Sequence, residues 1–247
     1  MKNSIYIIYC LGILTSCTSE KITTKESVIN LNDGLVVNIP FNNSYLESIS
    51  NNEGNSTKTK FVQDRKKQAN EALYLNRNDS SLVNFGDLNL ASINNAIFSI
   101  SCWVNLEDTL KPCAILSKRS PYGGFEYSID NHFRNKQYFN FDNWNINGTN
   151  TVYGIDPLNA SAPIQLNSWQ HIVFIANGIH LKVYSNGVLQ SDVDNKNNEE
   201  FSNTDKDFII GNGGGYGRYY YFQGAIDDVK IYNRVLNNEE INALYVQ

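Results

Sequence analysis

The chain has 247 residues, 41% of them hydrophobic, enough for one sizeable packed domain or two small ones. Only 18% are charged, against about 25% in ordinary globular chains, and asparagine, serine, glycine and tyrosine carry the polarity instead. A formal net charge of -5 is mildly acidic and does not argue for a nucleic-acid partner.

In chain order, Lys2 gives a short positive start and Ile5 to Leu14 an apolar run too short to span a membrane as a helix. The run ends in "LTSC", Leu14 to Cys17, which resembles the bacterial lipobox. On that reading residues 1–16 are a lipoprotein signal peptide and Cys17 is lipidated, tethering the protein to a membrane while the rest stays in water. Thr18 follows, with no aspartate, which by resemblance to bacterial lipoproteins suits the outer membrane, periplasmic or surface-facing. An ordinary secretory signal is the alternative. Residues 17–30 are polar and read as a flexible tether. Residues 31–247 read as one domain, with no internal repeat and no linker.

From residue 34 the pattern is strand, turn, strand. "GLVVNIPF" opens it, and "EALYLNRNDSSLVNF" reads as two short strands around an Asn-Asp turn. "IFSISCWVNLE" alternates, with Phe98, Ile100 and Cys102 on one face and Trp103 on the other. "AILSKR", "GFEYSID" and "KQYFNFDN" follow. "SWQHIVFIANGIHLKVYSNGVLQSD" holds two Asn-Gly pairs, Asn177-Gly178 and Asn186-Gly187, and predicts a three-strand meander. "LNNEEINALY" predicts a short helix: Asn237 is an N-cap with Glu240 three residues on, and Ile241, Leu244 and Tyr245 share a face. Many short strands separated by turns indicate an all-β fold, a two-sheet antiparallel β-sandwich or jelly roll with a short C-terminal helix.

With Cys10 in the leader and Cys17 the lipid site, Cys102 and Cys113 remain. Outside the cytoplasm they could form a disulfide; the other reading is two buried thiols, since cysteine packs well as a small hydrophobe. The three histidines, His132, His171 and His180, have no zinc spacing. Five Asn-x-Ser/Thr triplets begin at Asn42, Asn55, Asn78, Asn147 and Asn159; in a bacterial chain they are by-products of asparagine abundance.

"FSISCWVN", "AILSKR", "NSWQHIVFIANGIHLKVYSNG", "FIIGNGGG" and "FQGAIDDVKIYNRVLNNEEINALY" occur in that order. Together they resemble the LamG-like jelly-roll domains of the concanavalin A-like lectin/glucanase superfamily. The resemblance runs from about residue 97 to the end and is looser over 31–96, where "FNNSYLESISNNEGNST" is a degenerate form of the family's Asp-Ser-Gly-Asn loop. It implies a sandwich that serves lectins, adhesion modules and hydrolases alike. It also implies a calcium ion at the sandwich edge, for which Asp227 with Asn42, Asn43 or Glu47 is the nearest match. The other reading of Asp227 is a carboxylate that caps backbone amides or pairs with an arginine, with no ion. In an unbroken strand Asp227 shares its face with Val229 and Ile231, and Asp228 the opposite face with Lys230.

"GNGGGYGRYYYF" is not a phosphate cradle, since Tyr216 stands where a dinucleotide fingerprint needs a small residue. Glycines around Tyr216, Arg218, Tyr219 and Tyr220 suit a surface that meets a ligand, because tyrosine pairs a flat apolar face with a polar tip. Trp144, with Tyr138 and Asn143, is a similar candidate; in β-proteins such aromatics also pack internally. The superfamily's Glu-x-Asp-x-x-Glu glucanase signature is missing. Glu126 and Asp130 share a strand face without a third acid, so no catalytic residue is assigned. The reading that follows is a non-catalytic, lipid-anchored binding module for glycans. The alternatives are a protein–protein adhesion module and an atypical glycoside hydrolase.

Overall fold

The computed structural model describes residues 29–88, 90, 97–119, 125–131, 138–142, 161–194, 206–213 and 219–247. The short strands of the first third are β1 (Leu35–Ile39), β2 (Leu46–Glu47), β3 (Asn52–Glu53), β4 (Asn55–Thr57), β5 (Lys60–Val62), β6 (Ala72–Leu75) and β7 (Leu82–Asn84). Longer ones follow: β8 (Ile97–Leu106), β9 (Ala114–Arg119), β10 (Phe125–Asp130), β11 (Tyr138–Asp142), β12 (Ser161–Pro163) and β13 (Gln170–Asn177). The chain closes with β14 (His180–Ser185), β15 (Val188–Asp194), β16 (Phe208–Ile210), β17 (Gly224–Tyr232) and the helix α1 (Asn238–Val246).

Two antiparallel sheets result. One runs β15-β14-β13-β8-β17-β6-β5, with β1 also on β17; the other runs β12-β11-β10-β9-β16-β7-β4, and β2 with β3 forms a small ribbon. Phe98, Ile100, Cys102, Val104 and Leu106 of β8 point inward at period two, as the sequence pattern demands. They join Ile226, Val229 and Ile231 of β17, and Ile129, Phe139, Phe208 and Ile210 of the facing sheet, in one buried core.

The meander forms as expected, through two different turns. Asn186 (φ 50°) and Gly187 (φ 77°) both sit in the left-handed region, as a two-residue hairpin turn requires. Asn177 instead uses its side chain, whose oxygen accepts from the amides of Ile179 and His180. The two strands expected around the Asn-Asp turn also form, but not as a hairpin. A 3₁₀ turn, Arg77–Asp79, carries the chain from β6 in one sheet to β7 in the other.

Part of the first sheet's outer face, over β13, β14 and the end of β17, is itself buried. Val173, Ile175, Tyr184 and Tyr232 pack there under Leu236, Ile241 and Leu244, so α1 roofs that part. The helix starts at a complete capping box: Asn237 accepts from the Glu240 amide at 2.9 Å, and Glu240 accepts from the Asn237 amide at 2.8 Å. Glu240 also takes both Arg234 guanidinium nitrogens, at 2.7 and 2.9 Å. Replacing Asn237 by alanine is expected to cost about 1 kcal/mol, read from the denaturant midpoint.

The pair Asp227-Asp228 interrupts β17 as a bulge. Asp227 lies opposite Trp103 and Lys230 opposite Ser101, so two residues stand where one would fit. Asp228 absorbs the extra residue at φ 48°, a left-handed conformation that aspartate tolerates better than most side chains. The expected shared face of Asp227 with Val229 and Ile231 is thereby corrected. Val229 and Ile231 point into the core, and Asp227 points outward beside Trp103.

Candidate ligand-binding site

The segment after the glycine-rich loop runs extended into β17. Tyr220 is pinned by its amide, which donates to the carbonyl of Gly213 and the side-chain oxygen of Asn212, and by its carbonyl, which accepts from Ala114. Tyr219 and Tyr221 therefore project on a common side, two residues apart. Their rings stack, with centroids 5.8 Å apart and planes 14° apart. Tyr219 is 57% exposed. With Arg77, Asn78, Lys111 and Pro112 they line an open groove of about 570 Å³.

Arg77 stiffens that wall. Its Nε donates to the Tyr221 carbonyl at 3.1 Å, and its Nη1 meets Asp108 at 2.9 Å. Its Nη2 is buried with no hydrogen-bond partner. An unpaired buried donor is costly. Burial alone would raise the Asp108 carboxyl, but the Arg77 hydrogen bond, the Leu110 amide and nearby cations hold it below its ordinary value.

A second polar cluster sits on the outer face of the first sheet. Arg65 donates from Nη1 to Asp227 at 2.7 Å and from Nη2 to Asp228 at 2.8 Å, and lies 4.6 Å over the Trp103 ring. Lys230 reaches Asp228 at 3.0 Å. His171 shares a hydrogen bond with the Ser101 hydroxyl at 2.8 Å, and its Nδ1 has no partner. Burial, aided by Asp228 and only partly opposed by Arg65, pushes the Asp227 carboxyl up to about 7. Burial, then Arg65 and Lys230, lowers His171 to about 3. Asp228 goes the other way: burial would raise it, but Lys230 and Arg65 hold it below its ordinary value. Ser101 and His171 are both buried, so the pair is closed to a substrate and serves the sheet.

A family model, Laminin_G_3 of the concanavalin A-like lectin/glucanases superfamily, matches residues 77–242, more than half of the chain. The chain belongs to the Laminin_G_3 family. No match is found among the curated proteins. Domain 4 of AbnA, a GH43 extracellular arabinanase from Geobacillus stearothermophilus solved in complex with arabinotriose, superposes with a TM-score of 0.60 at 22% identity. The match covers 85% of this chain and 98% of that one. The receptor binding domain of a botulinum neurotoxin C/D mosaic serotype gives 0.62 at 16% identity, covering 87% and 52%. The binding domain of Paraclostridial Mosquitocidal Protein 1 gives 0.63 at 17%, with 87% and 52% covered. This Laminin_G_3 chain thus spans about half the length of those toxin domains. At such identities the likeness is one of fold.

Of the residues singled out in the sequence, the structure places Tyr219 and Tyr220 at the first groove. Tyr216, Arg218 and Trp144 lie outside the described residues, as do Cys17 and the leader. Glu126 and Asp130 fall on β10, with side chains outside the described part. Tyr221, Arg77 and Lys111 were missed. Period two along "YYY" was the signal for Tyr221; Arg77 and Lys111 come from distant turns that nothing in the sequence connects.

The residues suggested for calcium do not fit the ion. Both Asp227 oxygens are engaged, one by the Arg65 guanidinium and one by the Asp228 amide. A cation at 2.7 Å opposes a second one. Glu47 accepts through one oxygen from the amides of Asn38 and Ile49, and through the other from the amide and hydroxyl of Ser50. It locks a loop, and although burial would raise its carboxyl, these donors hold it below its ordinary value. Asn42 and Asn43 are exposed, and Asn43 turns the chain at φ 51°. The disulfide expectation is corrected too. Cys102 and Cys113 are separate buried thiols, on β8 of one sheet and just before β9 of the other. Facing sheets lie about 10 Å apart, beyond the usual roughly 4.4–6.8 Å Cα reach of a disulfide. Burial pushes the Cys102 thiol up to about 12, which makes it inert.

Proposed function

We propose that this protein is a non-catalytic carbohydrate-binding module, tethered to a bacterial outer membrane through a lipid on Cys17. The observation that carries the binding reading is the stacked Tyr219–Tyr221 pair on the wall of an open groove that Arg77 and Lys111 also line. Sugar rings offer apolar C–H faces for the tyrosines and hydroxyl oxygens for the arginine. Support also comes from relatives of the same fold. The AbnA domain is solved with arabinotriose, and a botulinum neurotoxin DC binding domain, at a TM-score of 0.59 and 15% identity, in complex with SialylT. The lipid anchor rests on the "LTSC" motif alone.

A glycan-array screen of the protein tests the reading. Saturable binding to a related group of sugars is expected, weakened about tenfold or more by Tyr219→Ala. Absence of saccharide binding, with capture of an envelope protein through the tyrosine surface, would replace it with the adhesion reading.

A further inference from the structure

A second groove, of about 280 Å³, opens on the outer face of the first sheet where β5, β6, β17 and β8 lie side by side. Lys60, Tyr74, Ala225 and Asn105 are register partners in one row across these strands. Ala225 is small and leaves room above it. β17 and β8 approach closely here, since a Cβ at Gly224 would run into the Asn105 carbonyl oxygen. Trp169 forms one wall. Its loop is fixed beside β8, because the Asn167 amide donates to the Leu106 carbonyl at 2.8 Å.

Two acceptors on β8 and just after it, Asn105 and Glu107, line this groove. Glu107 is oriented by the Tyr74 hydroxyl at 3.2 Å and the Gln223 amide at 2.7 Å, both on the same carboxylate oxygen. The Asn105 side-chain oxygen is buried with no hydrogen-bond partner. An aromatic wall facing two acceptors suits a ring that presents C–H groups on one face and O–H donors at its edge.

Gln223 links residues of the two grooves by hydrogen bonds. Gln223 donates to Glu107 and to the Tyr74 hydroxyl at 3.0 Å, and its side-chain oxygen accepts from the Arg77 amide at 3.0 Å. Arg77 in turn holds the Tyr221 carbonyl in the first groove. From Tyr221 to Ala225 the chain advances four residues, at most about 14 Å.

We propose that the Trp169–Glu107–Asn105 groove is a second sugar subsite, so that the ligand is an oligosaccharide whose successive rings lie on Tyr219–Tyr221 and on Trp169. This rests on the glycan reading above and adds a chain-length requirement to it. Arg77 and Lys111 line the first groove, and Glu107 the second.

The test titrates mono-, di-, tri- and tetrasaccharide ladders of arabinose, xylose, glucose and galactose into the full chain. Affinity and the Trp169 indole N–H resonance are followed together. Affinity is expected to rise about tenfold or more from monosaccharide to trisaccharide in one ladder. Trp169→Ala should abolish that rise, while Trp169→Phe, which keeps an aromatic face, should retain part of it. Tyr219→Ala should weaken every rung. A flat ladder, or a rise that survives Trp169→Ala, overturns the second subsite and leaves the Tyr219 reading standing. Oligosaccharides that shift the Trp169 resonance although Tyr219→Ala changes nothing would uphold the second groove and sink the first. No binding and no shift on any ladder overturns both.

Discussion

Replacing Arg65 with methionine is expected to lower stability by about 3–5 kcal/mol, with a larger loss at pH 8 than at pH 5. Methionine keeps an apolar chain over Trp103, so the change isolates the charge. Arg65 is the cation within hydrogen-bond distance of Asp227, which is only 2% exposed. Lys230 reaches Asp228 alone. Without the guanidinium, Asp227 is a buried carboxylate beside a second carboxylate, and it must ionise uncompensated or take up a proton. Already pushed up to about 7 with Arg65 present, it is protonated at pH 5 in the variant and forced toward charge at pH 8. Denaturant unfolding at the two pH values measures both losses. Equal losses, or a loss under about 1 kcal/mol at pH 8, would show that Arg65 is not what compensates the aspartates.

This cluster also shows where sequence reading stops. The inward face of β8, the meander and the capping box are local patterns, and period two, Asn-Gly and S/T/N-x-x-E rules read them directly. The side on which Asp227 points is not local. One inserted residue at a bulge reverses every side chain on one side of it, and a run such as "GAIDDVKIY" looks the same with or without it. An arginine partner was one of two readings open for Asp227, but its identity, 162 positions away, required the sheet order. The same holds for β6 and β7, adjacent in sequence yet placed in opposite sheets by a three-residue turn. At the candidate site, the tyrosine run was visible from composition. Trp169 was not, because in "NSWQHIVF" it reads as one more aromatic entering a core strand. Only the β8 neighbours Asn105 and Glu107 turn it into a groove wall.

Asp227→Asn is expected to expose a pH dependence that the native protein conceals. Asp227, ordinarily at 3.8, is at about 7 in the fold, so between those values the folded state holds one proton more than the unfolded chain. Its contribution therefore improves as pH falls through 7 and is complete by about 4. His171, ordinarily at 6.5, is at about 3 in the fold, so over nearly the same window the folded state holds one proton fewer. Its contribution is lost as pH falls below 6.5. The two slopes oppose each other, and native stability should be nearly level from pH 6.5 to 4.5. Glu47, Asp108, Asp228 and Glu240 are all held below their ordinary values, and their stabilisation is lost only in more acid solution. Removing the Asp227 carboxyl leaves His171 unopposed. Stability of the variant should fall by about 1.4 kcal/mol per pH unit across that window. Adding His171→Gln should level it again. Denaturant midpoints at pH 6.5, 5.5 and 4.5 decide the matter. A level Asp227→Asn profile would mean that His171 titrates in the fold as it does in water, and a sloping native profile that Asp227 is ionised throughout.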